Sequence, residues 1–256
     1  MRVLGARHST VAPGSDSVRC ASEPSASIIT DVAPRSTRPP FAAGERLEYR
    51  VSFGAMHVGL GRMVLVGHDT ARGQPVLRAS FVIAGGVWPL TVHDSMTSWF
   101  DSLAVASVRF TQDLHELRRH ATKFYSIFPD RQTYAPRGEA ERPTVPEPLD
   151  DVSFVYLART LPLEPGQCYE LRRYFKPDGN PVVIRVVKRE SITVPAGTFN
   201  TILVRPEITT SAIFSKNGHA ELWLSDDSLH VPVRLEVGLP FGSIKLYLSK
   251  IDRQSP

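Results

Sequence analysis

"RLEYRVSF", residues 46–53, sets Leu47, Tyr49, Val51 and Phe53 in alternation with Arg46, Glu48, Arg50 and Ser52. Successive side chains on a strand point to opposite faces, so the stretch reads as a strand with one buried and one wet face. "VPVRLEVG" (231–238) repeats the pattern with Val231, Val233, Leu235 and Val237 inward, and "SIKLYLSK" (243–250) continues it with Ile244, Leu246 and Leu248. Further strands are predicted at "GRMVLVGHD", "VLRASFVIA", "SMTSWFD", "KFYSIFP", "YELRRYF", "PVVIRVVKRE", "FNTILVRPEI" and "HAELWLS". Turn chemistry separates these runs: Pro-Asp-Gly in "KPDGNP" (176–181), Asn-Gly in "SKNGHA" (215–220), and the weaker "VPAGTF" and "HDTARGQP". Such short links force antiparallel pairing, because parallel neighbours need long crossovers.

One segment departs from period two. "PLDDVSFVYLARTLPL" (148–163) offers Asp150 or Asp151 as helix N-cap, and Pro162 pushes the residue before it out of helical geometry. Val152, Phe154, Val155, Leu157, Ala158 and Leu161 surround the axis, as in a buried helix. The expected fold is therefore mainly β: a single curved antiparallel sheet or open barrel wrapped around one short buried helix near 150–161. Residues 44–252 form that domain, and a Pro-rich loop (136–148) leads into the helix.

Residues 1–43 read as a disordered or extended segment rich in Ser, Ala, Pro and Arg. No apolar centre of the roughly 7–15 residues that a secretory signal needs is visible, and Arg19 precedes Cys20 in "SVRCASEP". On this reading the protein is cytoplasmic or its start codon is misplaced. The 256 residues suffice for a substantial core, and no apolar run reaches the roughly 18 residues of a membrane-spanning helix. Five of the 30 basic and three of the 26 acidic side chains lie in the first forty residues, leaving the rest at about +2. That balance is too even for nucleic acid, which selects a concentrated basic face. With Cys20 and Cys168 alone, a disulfide framework and a four-cysteine zinc site are excluded. A single bridge stays formally open, but the expectation is an unpaired, buried Cys168 in a strand.

Few motifs suggest chemistry. Asp226–Asp227 in "LSDDSLHVP" read as a turn whose carboxylates bond backbone amides, with a salt bridge or a site as alternatives. "HELRRH" (115–120) has one residue too many for the zinc-protease pattern, and on one strand the odd spacing would put His115 and His120 on opposite sides. Both are expected on a solvated strand with Arg118 and Arg119, and no metal or cofactor is expected. Along the helix, Asp150, Ser153, Tyr156 and Arg159 recur every three residues. Arg159, if buried, needs an anion, with Asp94, Asp226 or Asp227 as candidates. The pair either locks helix to sheet or, with Tyr156, greets an anionic head group. Trp88, Trp99 and Trp223 are read as core, or as lining an apolar ligand cleft between sheet and helix.

"GERLEYRVSFGAMHVGLG", "TVHDSMTSWFD", "LDDVSFVYLARTLPLEPG", "ITVPAGTFNTILVRPE", "ELWLSDDSLHVPVRLEV" and "LPFGSIKLYL" follow one another in this order. Together they resemble the bacterial family called domain of unknown function 3108, from about Gly44 to Ile251. The resemblance implies an exported protein of the periplasm or cell envelope and carries no catalytic residues. The architecture also resembles the lipoprotein-carrier folds of the envelope, an analogy that does not fix function. The expected role is a noncatalytic envelope protein that binds a lipid or other amphipathic small molecule at Tyr156, Arg159, Asp94, Trp88, Trp99 and Trp223. A fully packed scaffold or interaction module is the alternative, and a hydrolase using Asp94, His93 or Asp226 ranks last.

Overall fold

The computed structural model describes residue 20 and residues 27–30, 39–87, 90–116, 119–209, 220–239 and 242–253. Its strands are β1 (Ser27–Ile29), β2 (Arg46–Phe53), β3 (Met56–Ala71), β4 (Gln74–Val87), β5 (Leu90–Phe100), β6 (Ser107–Glu116), β7 (Arg119–Phe128), β8 (Thr133–Pro136) and β9 (Arg142–Pro143). After the helix α1 (Asp151–Thr160) come β10 (Gln167–Leu171), β11 (Val182–Val194), β12 (Gly197–Glu207), β13 (Ala220–Ser225), β14 (Pro232–Leu239) and β15 (Gly242–Asp252). Among the described residues they form one sheet, in the order β1-β10-β11-β12-β13-β14-β15-β2-β3-β4-β5-β6-β7-β8-β9, which does not close on itself.

The alternation read from "RLEYRVSF" is the alternation observed: Leu47, Tyr49 and Val51 are buried while Arg46 and Arg50 are exposed. The inward residues of neighbouring strands, including Met63, Met96, Phe110, Ile127, Leu235, Leu246 and Leu248, build one core with Phe154, Tyr156 and Leu157 of α1. From β13 round to β6 neighbouring strands run antiparallel, so the β3–β4, β5–β6 and β13–β14 links share one rim of the sheet with the start of β2. The helix lies along this rim. Its first turn meets β5 and β6, and its last turn meets the segment before β2 and the β13–β14 turn.

The structure corrects three expectations. Cys168 is not unpaired: it is disulfide-bonded to Cys20, 148 residues away, in a small cluster with Val183. Parts of the N-terminal segment are accordingly tied down. Ser27–Ile29 pair in parallel with Gln167–Tyr169, and Phe41 is buried against Tyr156 at a ring separation of 4.9 Å. Third, His115 and His120 do not share a strand or fall on opposite sides. The chain reverses between β6 and β7, so the two are directly paired across the hairpin and face the same way. Spacing along one strand is the wrong ruler once a turn intervenes. Arg118, Trp88 and the Asn217–Gly218 turn lie outside the described residues.

Near the opposite rim β3 and β4 approach closely at a glycine pair. A Cβ added at Gly59 would stand 2.2 Å from the carbonyl oxygen of Ala84, and one added at Gly85 would stand 2.3 Å from that of Val58. Both neighbours are backbone and cannot swing away, so any larger residue forces the strands apart. Gly59→Ala or Gly85→Ala is expected to cost about 3 kcal/mol, the upper part of the usual overpacking range. Urea denaturation at unchanged m-value is the measurement.

Candidate functional site

The first turn of α1 is fixed by a buried polar knot. Asp150 is the N-cap, with Oδ1 accepting the amides of Val152 and Ser153 at 2.9 Å each. Its Oδ2 accepts from the Ser98 hydroxyl of β5 at 2.5 Å, and its own amide donates to Ser107 of β6 and to Ser153. The cap and Ser153 thus satisfy each other's orphan backbone donors, a capping box. Burial nonetheless pushes the Asp150 carboxyl up to about 6, against the pull of its hydrogen bonds.

The last turn carries Arg159, whose side chain is fully buried. Its partner is Glu45, not Asp94, Asp226 or Asp227. Nη1 reaches Oε1 at 2.5 Å and Nη2 reaches Oε2 at 3.0 Å, a two-pronged contact between guanidinium and carboxylate. Nη2 also donates to the Pro40 carbonyl and Nε to that of Leu229, while Arg253 adds a second cation on Glu45 at 3.1 Å. Tyr156 lies one turn back, packed on Phe41 and Phe100. These groups lock helix to sheet, the structural alternative considered for Arg159. Glu45 carried no sequence signal of its own, being one of many acids and 114 residues from its partner.

Between these two polar ends one helical face is not fully covered. Asp151, Val152 and Val155 of the helix border an almost wholly apolar cleft with Tyr49, Met63, Phe81, Leu222, Pro232, Leu235 and Leu246. Its free volume is about 30 Å³ and it opens on one side. Val58, Ile83, Val237 and Ile244, all half-buried, pack against the same core. A larger groove of about 410 Å³ runs by β7 and β8, but it is polar and open, lined by Lys123, Arg137, Arg142 and Lys176 among others.

Of the six residues named as ligand-binding, only Tyr156 and Arg159 sit together, and both are sealed in the core. Asp94 accepts from the backbone amide of His115 at 3.0 Å. Trp99 and Trp223 do not line the cleft. Trp99 donates to Asp69 at 3.0 Å under the guanidinium of Arg109, and Trp223 donates to Glu190 at 2.9 Å under that of Arg234. Trp88 lies outside the described residues.

The groups named for hydrolysis are dispersed. Adjacent His93 and Asp94 point to opposite faces of β5, and Asp226 is separated from them in the sheet by β14, β15, β2, β3 and β4. Asp227 Oδ1 is taken by the amides of Leu229 and His230 and by Ser225, and Asp226 by Arg189 at 3.0 Å. The turn reading holds for Asp227. His230, at a left-handed φ of 42°, turns its ring so that Nδ1 donates to the Arg159 carbonyl at the helix C-terminus, 2.9 Å away.

Residues 48–249 match the family described as protein of unknown function, DUF3108. The chain belongs to that family. No functionally curated protein matches it in sequence. Among solved structures it is similar to a β-barrel-like protein of domain of unknown function 1849 from Brucella abortus, with TM-score 0.53 and 11% identity over 86% of this chain and 100% of that one. A hypothetical protein from Chlamydia trachomatis aligns with TM-score 0.37 and 8% identity over 84% of this chain and 89% of that one. The first likeness supports the β-barrel-like fold and nothing finer.

Two outcomes follow from the helix ends. Glu45→Ala leaves the guanidinium of Arg159 buried without its counter-charge and should cost about 3–5 kcal/mol. A double Glu45→Met, Arg159→Met variant should regain much of that loss in urea titrations, because two apolar side chains replace both charges. Asp150 acts through pH. Its folded pKa lies above the unfolded value, so the native state binds the extra proton. Its contribution is fully present below about pH 4 and is lost as pH rises through about 6, on the order of 3 kcal/mol in all. Asp150→Asn keeps a good N-cap and should flatten the stability profile between pH 4 and 6.

Proposed function

We propose that this member of the family is a noncatalytic cell-envelope protein that takes the apolar end of an acyl chain into the cleft between α1 and the sheet. The apolar cleft beside Val152 and Val155, open on one side, carries the reading. It offers water almost nothing to bond, and each Å² of apolar ligand surface buried there contributes about 25 cal/mol. The resting volume of about 30 Å³ suits one water-sized group, so an acyl chain enters by parting Val155 from the strands. The envelope location is supported by the Cys20–Cys168 bridge, since disulfides persist in oxidising compartments. The absence of catalysis is supported by the commitment of Asp94, Asp226 and Asp227 to backbone amides or arginine.

The smallness of the cleft favours a second reading, a packed interaction module without a ligand. One experiment separates the two. The protein is unfolded and refolded to strip any lipid, then titrated with a fluorescent fatty acid. Saturable binding, weakened tenfold or more by Val155→Phe at unchanged thermal stability, is the expected result. If the wild type takes up no probe, or Val155→Phe binds it equally well, the packed module replaces the cleft.

A further inference from the structure

The outer face of the β5–β6–β7 region carries an arrangement that neither the fold nor the cleft requires. His93, His115 and His120 stand directly opposite one another on three successive strands. His115 and His120 stack at a ring separation of 3.9 Å, and His93 meets His115 edge-on at 6.2 Å. Asp113, two residues before His115 and so on the same face, sits between the stacked pair. His115 Nε2 lies 3.2 Å from Asp113 Oδ2, and His120 Nε2 lies 2.8 Å from Asp113 Oδ1.

We infer that Asp113, His115 and His120 form a binding site for a divalent late transition-metal ion such as Zn²⁺. One ligand atom from each residue lies within 4.8 Å of the others. Ligands on a tetrahedral zinc at about 2.0–2.1 Å stand roughly 3.3 Å apart, so small side-chain rotations bring the three onto one ion. Two imidazoles and one carboxylate match the borderline softness of zinc, copper or nickel, and solvent completes the coordination from the open side. Outer contacts steady the ligands. Thr122 donates to Asp113 Oδ1 at 2.9 Å, and the His115 amide is held by Asp94. The ion would join β6 to β7 just below their hairpin link.

Tag-free protein, cleared of metal with a chelator, is titrated with ZnCl₂ by calorimetry. The histidine side-chain NMR signals and the melting temperature are followed in parallel. The wild type is expected to bind one equivalent with a rise in Tm and to shift the signals of His115 and His120. His115→Ala and His120→Ala should each weaken binding by more than the roughly tenfold typical of losing an outer contact. These exposed substitutions should leave the metal-free Tm unchanged. His57→Ala with His68→Ala, both exposed on β3, should bind as wild type does. No saturable binding, full binding by either ligand variant, or equal loss in the β3 control would overturn the site.

Discussion

The fold depends on one covering contact: α1 laid along the rim of a sheet that cannot cover its own inner face. A sheet whose edge strands never meet exposes the apolar side chains of Tyr49, Met63, Phe81, Leu235 and Leu246, and only another element can bury them. A helix of ten residues is too short to be stable by itself. It is held because both ends are tied to strands far away in sequence, Asp150 to Ser98 and Ser107, and Arg159 to Glu45. The hydrophobic effect is nondirectional and favours burying this helix somewhere. The two polar ends decide where it lies and in which direction it runs.

That division of labour explains the shape of the cleft. Polar anchors fix the helix at its ends, and Phe154, Tyr156 and Leu157 seal the side toward the core. The remaining face, Val152 and Val155, meets the sheet with short β-branched side chains that do not fill the gap. The same anchoring keeps Arg159 from serving a ligand. Its guanidinium already faces the Glu45 carboxylate and two carbonyls, and a head group would have to displace a charge-assisted pair inside the core.

What the sequence made legible was whatever repeats locally. Alternation in "RLEYRVSF" set the burial of Leu47, Tyr49 and Val51, and an N-cap at Asp150 or Asp151 with Pro162 at the far end bounded the helix to within a residue or so. Relations across the chain were not legible. Nothing in the composition marks Glu45 among 26 acidic residues as the partner of Arg159. Cys20 stood in a segment whose composition reads as disorder, yet a bridge needs only its own anchor and a neighbouring strand, here β10. His115 and His120 were judged by their spacing along one strand, while the intervening reversal makes them neighbours across two. Trp99 and Trp223 misled only as candidates for the cleft. Trp223 is indeed buried, but each ring lies under an arginine with its N–H on a carboxylate, which covers it without placing it at the cleft.

Asp150 shows why a perturbed acid is not enough to make a site. A buried carboxyl raised to about 6 is what a general acid near neutrality would require. Yet Oδ1 is shared by two helix amides and Oδ2 by Ser98, so the oxygens face the protein's own donors. An acid used for catalysis must keep an oxygen free to reach a substrate in a cleft, and Asp150 is not among the residues that line the cleft here. The shift at Asp150 is therefore the cost of fixing a helix start inside an apolar core. It is offset by the burial of Val152, Phe154 and Leu157 that this start makes possible.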